Sequence, residues 1–170
     1  MKKKIAYLSM FLALALVCSY VETLIPFPIG IPGVKLGLTN IIVILVLYCI
    51  GEKEAILISI LRILLSGFMF GNAFAIIYSL AGGILSFILM MLMKRTKKFS
   101  VITVSIAGGI SHNIGQMLLA SILIESYYIV SYLPVLLISG TITGFLIGVL
   151  GQEIIIRIKR FFDTNLQKRE

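Results

Sequence analysis

Residues 36–69 read LGLTNIIVILVLYCIGEKEAILISILRILLSGFM. Two apolar runs, Leu36–Ile50 and Glu54–Met69, meet at the charged break Gly51-Glu52-Lys53. The same pattern continues outward, with Ile5–Ile25 before this stretch and Ala73–Met93, Val101–Ile124 and Tyr132–Ile156 after it. Of the 170 residues, 59% are hydrophobic and 13% charged, and mean hydropathy is +1.10. A soluble domain runs nearer half apolar and a quarter charged, and a chain this short lacks the interior to hide the surplus. The excess faces lipid, where only helices and closed barrels keep the backbone satisfied. The composition predicts an all-α membrane protein, a single six-helix transmembrane bundle over 1–170, and excludes an ordinary soluble enzyme, a disordered chain and a nucleic-acid binder.

The net charge of +8 is distributed as topology. Thirteen of the fifteen Lys and Arg lie in four patches: Lys2–Lys4, Lys53, Lys94–Lys98 and Arg157–Arg169. Basic loops between apolar runs mark the cytoplasmic side, so six crossings put both termini in the cytoplasm of a multi-pass cell-membrane protein. Glu22, Lys35 and Glu125 then fall outside, where Tyr127, Tyr128 and Tyr132 suit an aromatic belt. Lys2–Lys4 before an apolar run also fits a signal peptide, but the run to Ile25 is long and no small-x-small cleavage site follows it. A retained helix is expected. Cys18 and Cys49 both sit in apolar runs, which points away from a disulfide framework.

Leu36–Ile50 and Glu54–Met69 are short, reaching about 22–24 Å against a hydrocarbon core of about 30 Å. With their inner ends held by Glu52, Lys53 and Glu54, both are expected to stop below the outer surface and leave a depression there. The intervening loop, Pro26 to Lys35, holds three of the four prolines and reads as a lid over that depression or as a re-entrant turn.

Polar residues within spans are functional candidates. Arg62, Asn40 and His112 come from three different segments and reach similar depth, with Arg62 about 12 Å above Glu54. Gln116 lies one turn beyond His112 on the same face, Asn113 flanks it, and Lys35 and Asn72 stand above. His112 suits a structural hydrogen bond or a ligand contact better than a metal, since it is the chain's one histidine. Arg62 suits a pair with Glu22 or Glu125, or a substrate contact. Thr39 and Asn40 each suit a helix start.

Small residues mark close packing: Gly140, Gly144 and Gly148 form one stripe, Gly108, Gly109 and Gly115 leave room for a helix or a ligand, and Ser9/Ala13 and Ala15/Ser19 give two small faces on the first segment. No Walker A motif is present, and the one aspartate, Asp163, lies in the basic tail, so neither ATP hydrolysis by that route nor paired aspartate-rich diphosphate motifs are encoded. No Ser–His–Asp triad assembles at membrane depth either.

The stretches Pro32–Asn40 (PGVKLGLTN) and Ala107–Gln116 (AGGISHNIGQ) resemble the Gx transporter family, which also carries the label heptaprenyl diphosphate synthase component I. That family in turn looks like the substrate-binding S components of energy-coupling factor transporters. The resemblance implies a six-helix vitamin or precursor capture subunit without a cofactor, working with a transmembrane energising subunit and cytosolic ATPases. It implies docking through small residues of the first helix, where Ser9, Ala13 and Val17 stand, although Val17 breaks an Ala-x-x-x-Ala pattern. The synthase label demands magnesium-diphosphate carboxylates that one tail aspartate does not supply. The expected function is therefore capture of a small, anionic or amphipathic solute by Arg62, Asn40, His112, Asn113, Gln116, Lys35 and Asn72. The alternatives are a non-catalytic membrane subunit serving prenyl diphosphate or quinone synthesis, and an ion-driven carrier.

Overall fold

The computed structural model describes residues 2–24, 37–124 and 131–167, with no account of the side chains of 2, 3, 124 and 161–167. The described residues form six helices and no strand: α1 (Lys2–Leu24), α2 (Leu38–Cys49), α3 (Glu52–Phe70), α4 (Ala73–Thr96), α5 (Val101–Ile124) and α6 (Leu133–Gln167). Lys4–Leu24, Ala73–Thr96, Val101–Leu123 and Leu133–Arg160 are long and apolar enough to cross a membrane. The expected lid, with Lys35, and the residues Glu125, Tyr127 and Tyr128 lie outside the described residues.

Local chemistry sets the boundaries. Asn72 caps α4, its Oδ1 accepting from the Ala75 N–H at 2.8 Å. Ser100 does the same for α5, accepting from Thr103 N at 3.2 Å. Pro134 sits in the first turn of α6, where its missing N–H costs nothing. Glu52 and Glu54 occupy the first turn of α3, and Lys94 and Arg95 the last turn of α4, each on the favourable end of its helix dipole.

The two short spans part company. α2 has 12 residues, even fewer than the sequence suggests, and reaches about 18 Å. α3 has 19 residues and reaches about 28 Å; it gains Glu52 and Lys53 at its inner end and only Phe70 at its outer end. Ile42 to Leu47 of α2 are all buried, because α1, α3 and α6 pack around it. α3 meets α4, α4 meets α5 and α5 meets α6, which closes the bundle back onto α2.

Glycine lets these contacts tighten. A Cβ on Gly144 would stand 2.8 Å from Ile106 Cα, and one on Gly148 2.8 Å from Ile102 Cα, so the α6 stripe rides directly on α5 backbone. On the other side of α5, a Cβ on Gly115 would stand 2.7 Å from the Ala81 carbonyl oxygen of α4. Gly109 and Gly115 therefore serve neighbouring helices, and Gly108 packs beneath Met90, its carbonyl accepting from Ser86 at 2.8 Å.

Basic residues gather at one end. Lys4 pairs with Glu54, Arg95 with Glu52 at 2.6 Å, and Lys94 donates to the Leu47 carbonyl at 2.6 Å while lying over the Tyr48 ring. The hydrogen bond from Arg95 holds the Glu52 carboxyl below its ordinary value. The outward surface is strongly apolar, with Phe68 78% and Ile122 72% exposed, which water does not tolerate on this scale and lipid does.

Candidate functional site

A cavity of about 200 Å³ lies in the half of the bundle opposite the basic end, and all six helices contribute to it. α1 supplies Ser19, Glu22 and Thr23; Gly37 and α2 supply a backbone turn with Thr39 and Asn40. α3 gives Arg62, Ile63, Ser66, Gly67 and Phe70, with Gly71 after it, and α4 gives Ala75 and Ser79. α5 gives Gly109, His112, Asn113 and Gln116, and α6 gives Thr143. Most of these side chains are polar, inside a bundle that is otherwise apolar. Polar groups at membrane depth are expensive and gather where function needs them.

The structure brings Asn40, Arg62, His112, Asn113 and Gln116 to this one cavity. Asn72 is not among the lining residues: its side chain is exposed and spent on the α4 cap. Arg62 does not take the ion pair with Glu22 that the sequence offers. Its Nη2 donates to Asn40 Oδ1 at 3.1 Å, tying α3 to α2. Asn113 Nδ2 donates to the Leu136 carbonyl at 2.7 Å, fastening α5 to the start of α6, so its amide is partly structural. Gln116 is buried deeply, and among the described residues nothing accepts from its Nε2; the same holds for Arg62 Nε.

Glu22 has a different role from the outer-loop charge expected. Its Oε1 accepts from Leu38 N–H at 2.9 Å and its Oε2 from the Thr39 hydroxyl at 3.0 Å. Thr39 has a single proton, which goes to Glu22, so Ser19 donates in the 3.2 Å contact between the two hydroxyls. Together these bonds seat a carboxylate on the N-terminus of α2, where the helix dipole favours it. The signal in the sequence is the spacing Ser19, Glu22, Thr23, which puts three polar groups on one face near the end of α1. Glu22→Gln keeps one acceptor and loses the charge. It is expected to lower stability by about 1 kcal/mol, read as a lower unfolding temperature in detergent.

Among the described residues, no group of three His, Cys, Asp or Glu is placed to hold a metal ion. The cavity's chemistry is recognition by hydrogen bonds and one guanidinium.

A family model described as heptaprenyl diphosphate synthase component I matches residues 11–154. The chain belongs to this family. The match takes in every cavity residue from Ser19 to Thr143, so the component I sequence pattern includes the whole site. No curated protein and no solved structure matches the chain.

Proposed function

We propose that this component I protein is the substrate-capture membrane subunit of a micronutrient importer. It crosses the membrane six times with both ends in the cytoplasm, binds its ligand from the outer side and relies on partner ATPases for energy. The observation that carries this reading is the polar cavity, held in the half of the bundle away from the basic end. Basic residues mark the cytoplasmic face, so the cavity belongs to the outer half. The resemblance to S components supports the same role, and it brings a transmembrane energising subunit and cytosolic ATPases as partners.

The outward face of α1 supports docking. Ser9 and Ala13 are exposed, as is Val17 at 58%, whereas Ala15 and Ser19 are buried inside the bundle. The two small faces found in the sequence thus divide between internal packing and a surface offered to another membrane protein.

The family description favours a second reading, a non-catalytic membrane subunit beside a soluble prenyl diphosphate synthase. Gentle purification from the native host, with mass spectrometry of proteins and bound small molecules, separates the two. A transmembrane partner with ATPases, or a bound polar metabolite, is expected. A soluble synthase in the same peak, with no small molecule, overturns the importer. Arg62→Ala and His112→Ala are each expected to lose the bound molecule; if both retain it, the cavity is not the site.

A further inference from the structure

The described lining of the cavity carries one permanent cation, Arg62, and one anion, Glu22. With His112 counted as neutral, its formal charges sum to zero. The two charges sit beside successive residues of α2: Glu22 accepts from the Thr39 hydroxyl and Arg62 donates to Asn40. They make no ion pair, yet the carboxylate is near enough for its charge to act on the guanidinium. An ion entering this site brings a charge that the lining does not balance, and an unbalanced charge at membrane depth is costly.

The hydroxyls add a direction. Six of them line the cavity, and five spend their one proton inside the protein. Ser19 donates to Thr39, and Thr39 to Glu22. Thr23, Ser66 and Thr143 donate to carbonyls of their own helices: Tyr20 at 2.6 Å, Ile63 at 3.3 Å and Ser139 at 2.9 Å. These last three residues are half-buried or exposed, and what each has left for a ligand is oxygen lone pairs. Glu22 is half-buried too, and its two bonds use about half of the acceptor sites of a carboxylate. A ligand acceptor gains one of the three hydroxyl protons only by taking it from a helix carbonyl, whereas a ligand donor meets an oxygen ready to accept.

Building on the reading of this cavity as a ligand site, we infer that it takes an uncharged solute whose polar edge is rich in N–H or O–H donors, such as a primary amide, an amino-substituted heterocycle or a polyol. Thr23, Ser66, Thr143 and Glu22 are the acceptors for that edge. This reverses the preference for anions that Arg62 suggests in the sequence, because Glu22 joins the lining instead of an outer loop.

The test uses the purified full-length protein in detergent and a fragment library in four equal shares: uncharged donor-rich members, uncharged acceptor-only members, carboxylates and ammonium compounds. Binding is read by ligand-detected NMR, and a fragment counts as a cavity binder when Arg62→Ala or His112→Ala abolishes its signal. Uncharged donor-rich members are expected to dominate the cavity binders. Each primary amide among them is expected to bind about tenfold or more tightly than its N,N-dimethyl analogue and than the carboxylate of the same skeleton. Glu22→Gln leaves the lining with one net positive charge and is expected to move the ratio toward the carboxylate about tenfold. Arg62→Gln is expected to move it toward the ammonium compound instead. A variant that is merely less stable weakens every class alike and leaves these ratios where they were. Another share dominating, the dimethyl amide matching the primary amide, or ratios unmoved by both charge variants overturns the inference and leaves the cavity a capture site. If no fragment is sensitive to Arg62→Ala or His112→Ala, the capture reading falls and this inference with it.

Discussion

Gly109→Val is expected to yield protein that no longer runs as a single folded species in detergent. A Cβ at Gly109 meets the Gly140 carbonyl oxygen of α6, with the Gly140 carbonyl carbon at 3.3 Å and Gly144 Cα at 3.4 Å. These are backbone atoms of a facing helix, so no side chain can rotate away and α6 must move as a unit. Overpacking of this kind costs about 1–3 kcal/mol for a single methyl-sized intrusion, and valine adds two more carbons in the same place. In lipid the association of helices rests on close packing rather than on the hydrophobic effect, so the lost approach is not recovered elsewhere. Gly151 provides the contrast within α6: a Cβ there finds only Ile44 Cγ2 at 3.5 Å, an ordinary contact. Gly151→Ala is expected to be neutral or to stabilise by about 0.5–1 kcal/mol, the usual gain of alanine over glycine in a helix. Size-exclusion profiles and unfolding temperatures of the two variants check this. Equal behaviour would mean that the α5–α6 interface is not held by backbone contact.

The second large effect is expected at Gly37, which opens α2. Its φ of +71° lies in the left-handed region, where an L-residue costs about 1–2 kcal/mol. A Cβ there would also stand 2.9 Å from Ile147 Cδ1. Gly37→Val combines a branched side chain, the strained backbone and this contact, and is expected to lose about 2–3 kcal/mol. Asparagine tolerates left-handed backbone and Ile147 offers only a flexible end, so Gly37→Asn is expected to lose about half as much. Because Gly37 lines the cavity beside Asn40, both variants are also expected to weaken ligand retention. Unfolding temperature and co-purified ligand, measured on the same samples, report the two effects. If valine and asparagine behave alike, the left-handed turn is not what position 37 requires.

Much of the candidate site was legible because polar residues in apolar runs stand out wherever lipid is the solvent. Asn40, Arg62, His112, Asn113 and Gln116 are visible on that ground alone, and the structure sets them around one cavity. Their partners were not legible. A lone Arg62 invites an ion pair, and nothing in the local sequence says that Asn40 takes its Nη2 or that Glu22 turns to the α2 N-terminus. Those choices depend on how α1, α2 and α3 are rotated against one another. Asn72 shows the reverse case: the sequence offers it as a ligand contact, and the geometry of the α3–α4 turn makes it the cap of α4.

By itself the sequence determined that the chain is helical and built for a membrane, because 59% apolar content in 170 residues leaves no other solvent for its surface. It also determined which glycines permit close approach and where the helices lie to within a few residues. The exception is α6, which runs on to Gln167, eleven residues past the apolar stretch ending at Ile156, since hydropathy marks the membrane-facing part of a helix and not its polar extension. Only the tertiary structure decided which helix each glycine stripe meets, that α3 runs longer than its apolar stretch, and that Ser9, Ala13 and Val17 face out while Ala15 and Ser19 face in. The reason is physical: a helix dictates its own faces, but which face is buried is fixed only when neighbouring helices compete for the same contacts.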